Sequence, residues 1–148
     1  MMIVSRETIY AALFTLASGA ANFVTTDRRL HHLTEVPYEQ CPALFQLQDK
    51  EVIERRRGVP PRYMLYPELW VYVHTGNAEN AIKPSQLLNP LIDAIETALE
   101  PVKGKNHIQD LGLPSAVSDC RIEGTIQIFE GIMGTTAVAI IPIVVVTT

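Results

Sequence analysis

The stretch Arg62-Tyr63-Met64-Leu65-Tyr66-Pro67-Glu68-Leu69-Trp70-Val71-Tyr72-Val73-His74-Thr75 decides how this chain is read. Strand side chains alternate between two faces, so the odd positions Tyr63, Leu65, Leu69, Val71 and Val73 form one apolar face. The even positions Met64, Tyr66, Glu68, Trp70, Tyr72 and His74 present amphipathic side chains on the other. Proline cannot donate to a sheet ladder, and Pro67 therefore marks a bulge or an edge position.

Toward the N-terminus, residues 43–57 read as the partner strand of a hairpin, joined through Gly58-Val59-Pro60-Pro61, whose prolines interrupt any ladder. Toward the C-terminus, Gly76-Asn77-Ala78 opens a loop, and Asn89-Pro90 supplies an N-cap followed by proline at the first helical position. Leu91, Ile95, Ala98 and Leu99 recur at helical spacing until Pro101 and Gly104 close that helix. Two further strands, 116–130 and 135–147, flank the turn Gly131-Ile132-Met133-Gly134. In the first, Ile122, Ile126 and Ile128 alternate with Arg121, Glu123, Thr125 and Gln127, giving one dry and one polar face. The second hardly alternates between 138 and 146, which implies burial on both faces: it is central in the sheet, or its second face meets another subunit.

Ser5 is placed to cap a first helix running to about Ser18, with Gly19 as its stop and Ile9, Ala12, Leu13 and Leu16 as its apolar stripe. Residues 20–42 carry Arg28-Arg29, His31-His32 and Pro37 without periodicity and read as a long connection with little regular structure. The expected order is helix, hairpin, helix, hairpin. It makes an α+β single domain over residues 1–148, with both helices on one face of a mostly antiparallel sheet.

Length and composition narrow the function classes. A chain of 148 residues buries one ordinary core without metal or disulfide support. With 47% hydrophobic and 19% charged residues its surface is greasy for a small monomer, and subunit contacts would account for that. A net charge of −4 gives the whole chain no polycationic pull toward nucleic acid. The run 9–21 imitates a signal peptide, but Glu7 and the helical stripe argue against one, and the greasy run 137–146 is too short to span a bilayer as a helix.

Candidate chemistry is sparse. The sequence lacks a Walker-type phosphate loop, a nucleophile elbow and a His-Glu-x-x-His pair. Cys41 and Cys120 lack metal-type spacing and read as free buried thiols. His31 and His32 are adjacent and so diverge in direction, a poor arrangement for one metal. A small enzyme using Cys41 as a nucleophile beside one of these histidines is the alternative from a different class. Arg55, Arg56 and Arg57 follow Glu54 at the hairpin tip, either as a solvated guard against sheet aggregation or as an arm for an acidic surface or nucleic acid. Tyr66, Trp70 and Tyr72 form a polar-tipped aromatic strip, either an interface or a core strip capped by a helix.

Three stretches carry a family resemblance: Glu39-Gln40-Cys41-Pro42-Ala43-Leu44 leading into the first long strand, Asn89-Pro90-Leu91-Ile92-Asp93-Ala94-Ile95-Glu96 at the second helix, and the closing hairpin from Arg121-Ile122-Glu123-Gly124 through Glu130-Gly131 to Ala139-Ile140-Ile141-Pro142-Ile143. In their order and spacing the chain resembles the tail terminators of long-tailed phages, minor tail proteins of similar α+β design. The resemblance implies a virion protein assembled in the host cytoplasm. It forms a ring, of six copies in that family, which caps the tail tube, ends its polymerisation and offers a surface to the head. It implies no cofactor, no active site and no membrane. The implied partners are the chain itself, the tail-tube protein and a head-side neck protein, with DNA passing through the channel. A neck or head-completion protein is the alternative within the same class. Heterologous patches close into a ring when the rotation per subunit divides a full turn. The expected patches are the edge near residues 138–146, with Val138, Ile140 and Val144, and the aromatic strip. The arginine tip is expected to point along the axis toward the tube, so that charge reversal there spares the ring but releases tail length.

Overall fold

Leu65, Leu69 and Val71 are completely buried, and the computed structural model, which describes residues 5–76, 83–102, 107–131 and 135–148, is built around them. In chain order the elements are α1 (Arg6–Ser18), β1 (Thr25–Asp27), two 3₁₀ turns (Leu33–Glu35 and Tyr38–Gln40), β2 (Ala43–Glu54), β3 (Arg62–His74), α2 (Pro84–Ala98), β4 (Val117–Ile122), β5 (Gln127–Glu130) and β6 (Thr136–Thr147). The result is an α+β chain with two helices and one six-stranded, mostly antiparallel sheet. The sheet order is β1-β2-β3-β6-β4, with β5 also pairing β6; only β1 and β2 run parallel. The expected loop at Asn77 and Ala78, the stop at Gly104 and the turn at 132–134 lie outside the described residues.

The uninterrupted hydrophobicity of β6 follows from its place inside the sheet. Ala139, Ile141 and Val145 join the core beneath the helices, while Val138, Ile140 and Val144 point the other way and are still no more than 8% exposed. β6 is therefore not an edge, and the expectation of an edge near 138–146 is corrected: strands pair with it on both sides. Pro142 is where its second neighbour breaks. Proline brings no N–H to the ladder, and opposite it the expected single strand 116–130 divides into β4 and β5. The Glu123 amide donates to the Pro142 carbonyl at 3.3 Å, and Gly124 then turns at φ 115°, where an added Cβ would lie 3.4 Å from the proline ring.

Pro67 has a bulge and not an edge, for β3 runs between β2 and β6. The extra residue lies in the opposing strand: the register slips between Leu47 and Lys50, and Asp49 takes φ 55°. Strand pairs bend at such points; past the bulge Met64 and Leu65 still pair with Val146 and Val145 of β6, and only the hairpin end around the turn, the arm, extends beyond that third strand.

α1 has the expected limits. Ser5 Oγ accepts from the Thr8 amide at 3.2 Å, and the Gly19 amide donates to the Thr15 carbonyl at 3.2 Å. Its buried stripe is Ile9, Tyr10, Leu13 and Ala17; Ala12 and Leu16 are only half-buried. α2 departs further from expectation. It begins at Pro84, with the Gln86 side chain accepting from the Lys83 amide at 2.9 Å, so Asn89 is no cap and Pro90 lies inside the helix. An interior proline costs about 3 kcal/mol. Extending the helix buries Leu88 completely, which returns roughly 1.5–3 kcal/mol. Both helices pack on the face formed by Leu44, Leu69 and Ile141.

Residues 20–42 are more than a connection. They supply the edge strand β1 and cross to the face away from the helices. No helix among the described residues is long and apolar enough to cross a membrane.

Replacing Pro90 by Ala gives the Gln86 carbonyl a donor. The variant should be more stable by up to about 3 kcal/mol in urea unfolding, whereas an unchanged or lower midpoint would contradict the helical reading of residue 90.

Candidate functional site

With both helices on one side, the opposite face of the sheet is covered by chain whose regular structure is limited to the two 3₁₀ turns. Val36 is buried there with Ala43, Phe45, Tyr72, Val138 and Ile140, and Leu30 and Leu33 pack beside it. This strap, residues 28–42, is pinned by polar contacts. The Tyr72 hydroxyl donates to the His31 carbonyl at 2.6 Å. The His31 ring stacks on Phe45 with centroids 4.7 Å apart, and its Nε2 lies 2.8 Å from Asp27 Oδ2. His32 Nδ1 accepts from the Thr34 amide at 3.2 Å, capping the first 3₁₀ turn. Arg28 pairs with Glu7 of α1, tying the strap to the helical layer. Burial, aided by the nearby Glu35 charge, pushes the Tyr72 hydroxyl up to about 12, so it remains a donor at neutral pH.

Beside the strap lies a groove of about 650 Å³. Trp70, Tyr72, Val138 and Ile140 line it from the sheet, Leu30 and Leu33 from the strap, and Phe129 from β5. Register places Trp70 opposite Ile140 and Tyr72 opposite Val138, with Phe129 on the far side of Val138. Phe129 is 42% exposed on a strand of four exposed residues. The Trp70 indole donates to Glu68 Oε1 at 3.2 Å, which sets a carboxylate beside the apolar lining.

Of the residues expected to form interfaces, the fold unites Trp70, Tyr72, Val138 and Ile140 in this groove. The aromatic strip is not capped by a helix, and it divides at the bulge. Tyr66 and Val144 line a separate depression of about 300 Å³ with Pro67 and Pro142, and Lys50 Nζ stands 5.6 Å above the Tyr66 ring. Arg55, Arg56 and Arg57 are exposed beyond the end of β2; the Arg56 guanidinium donates to the Pro60 carbonyl at 3.2 Å. Sequence reasoning missed Phe129, Leu30 and Leu33. Phe129 was legible as an aromatic in the polar phase of a strand whose opposite phase, at Ile128, proves 49% exposed.

Cys41 lies with His74, not with His31 or His32, in a depression of about 510 Å³. Burial alone pushes its thiol up to about 11, the reverse of what activates a nucleophilic cysteine. His74 Nδ1 is occupied by the Gly76 amide at 2.8 Å. Cys120 is buried, its thiol held up at about 12, first by burial and then by Asp119. Among the described residues no three His, Cys, Asp or Glu side chains converge as metal ligands.

No protein-family model matches this chain, and a search of curated proteins finds no relative.

Two variants test how the strap is held. Tyr72→Phe removes the bond to the His31 carbonyl, which should cost about 0.5–1.5 kcal/mol and speed amide exchange across residues 31–36; unchanged exchange would show that the bond does not hold the strap. Asp27 is held below the ordinary carboxyl range, first by its hydrogen bond to His31. Its ionised form thus adds stability above the unfolded value of about 3.9, and that contribution is lost as pH falls through the lower folded value. Asp27→Asn should flatten the acid limb of the stability curve, and an identical limb would assign it to other carboxylates.

Proposed function

We propose that this chain is a ring-forming assembly protein of the tail-terminator kind, closing the head-proximal end of a phage tail tube. The observation that carries the reading is the groove on the second sheet face, where Trp70, Phe129 and Leu33 offer aromatic and aliphatic surface over the buried Ile140, with a carboxylate beside it. Surfaces of that composition are enriched in protein–protein interfaces. A monomer gains nothing by leaving such a patch in water, whereas a subunit covers it on assembly.

The ring, of six copies by the resemblance noted above, acts by asymmetry. One rim matches the last ring of tube subunits; the other lacks the tube's own polymerising surface, so growth ends and a head-side protein can dock. DNA passes through the channel without a sequence-reading contact, in keeping with the net charge of −4. No ionisation or bond-breaking step is required of any side chain.

The experiment is to polymerise purified tail-tube protein with and without the chain and to measure tube lengths by electron microscopy. Shorter tubes, each carrying extra density at one end, are expected. Unchanged lengths with rings bound to no tube end would contradict a terminator and favour a head-side connector.

A further inference from the structure

Charge is distributed unevenly between the hairpin arm and the rest of the molecule. Residues 50–62 hold Lys50, Arg55, Arg56, Arg57 and Arg62 against Glu51 and Glu54, five basic to two acidic and a net +3; with the whole chain at −4, the remainder sums to −7. The arm is also greasy where it leaves the sheet. Val52 and Ile53 are 43% and 45% exposed, and Val59 at the turn is 50% exposed. A solvated tip that only prevents aggregation has no use for three exposed aliphatic side chains.

The groove has the complementary character. Its lining is largely aromatic and aliphatic, with the Glu68 carboxylate beside Trp70 and the Glu35 charge acting on Tyr72. Arm and groove cannot meet within one chain. From Arg62 at the base of the turn to Trp70 is eight residues along β3, a span of roughly 26 Å at about 3.3 Å per residue. Two complementary patches so far apart on one rigid sheet join only between molecules, head to tail, which is the arrangement that closes into rings.

We propose that the basic arm of one copy docks into the aromatic groove of the next, Val52 and Val59 covering Trp70 and Phe129 while the arginines meet the acidic body. The inference rests on the ring-forming reading and gives it its interface, placing the arm between copies instead of along the ring axis. Screening should weaken a contact between a +3 arm and a −7 body, so assembly falls as salt rises.

The test uses the full chain and two variants at exposed positions, Val52→Asp in the arm and Phe129→Glu at the groove, with circular dichroism to verify folding. In sedimentation velocity the unaltered chain should self-associate by ~1 mM, where even weak specific contacts become populated. Each variant alone should associate at least roughly tenfold more weakly. Mixed, they should form a heterodimer and nothing larger, because the intact arm of Phe129→Glu meets the intact groove of Val52→Asp and every other pairing is broken. An unaltered chain that stays monomeric throughout, variants that assemble as well as it does, or a mixture that stays monomeric while each parent is folded would overturn the proposal. Charge reversal of Arg55, Arg56 and Arg57 separates it from an axial arm, which would leave assembly intact. Heterodimers from a chain that fails to cap tubes would refute the terminator reading alone; capping by arm variants would refute the docked arm alone.

Discussion

A strand that is hydrophobic on both faces must be covered twice, and in this molecule that strand is β6. Its alternating side chains place Ile141 and Val145 on one side of the sheet and Val138 and Ile140 on the other. Burying a side chain of this size is worth roughly 1.5–3 kcal/mol, so neither side can be left to water cheaply. The strand's central place between β3 and the β4–β5 edge satisfies its backbone, and the rest of the fold supplies the two covers.

Those covers are unequal, and the inequality leaves a groove on one face. α1 and α2 seal one face with Leu13, Leu88, Ile95 and Leu99. The other receives only the strap, whose Val36 is inserted while Leu30 and Leu33 remain part-buried. The strap is held by the inserted Val36 together with a small set of polar contacts, from Tyr72 to the His31 carbonyl and from His31 to Asp27. The groove beside it is thus formed partly by a segment in which only Val36 is buried. Such segments lie toward the low-stability end of a structure, where a docking partner can adjust them at small cost.

Much of this was legible in the sequence because period-two alternation is a strong signal. The faces of β3, the lack of alternation in β6 and the cap at Ser5 all follow from it or from simple capping chemistry. What was not legible has physical reasons. The start of α2 was misplaced because Asn89-Pro90 imitates a helix start, whereas Pro84 and the burial of Leu88 decide it. The strap was invisible because its three apolar residues Leu30, Leu33 and Val36 are spaced for a chain following short 3₁₀ turns, a pattern without a strong local signature. That Cys41 and His74 line one depression depends on β3 ending beside Pro42, a tertiary fact that no local motif records. The aromatic strip was correctly placed on one face, but its division at Pro67 depended on a bulge in the opposing strand.

The central claim is the proposal that the groove beside the strap is covered by another copy of the chain. Trp70 is the chain's single tryptophan and lines the groove itself, so its fluorescence reports that surface without labelling. As concentration is raised through the assembly transition that the proposal expects in sedimentation, the emission should move to shorter wavelength and acrylamide quenching should fall. Emission and quenching that stay constant while assembly proceeds would show that the copies meet elsewhere.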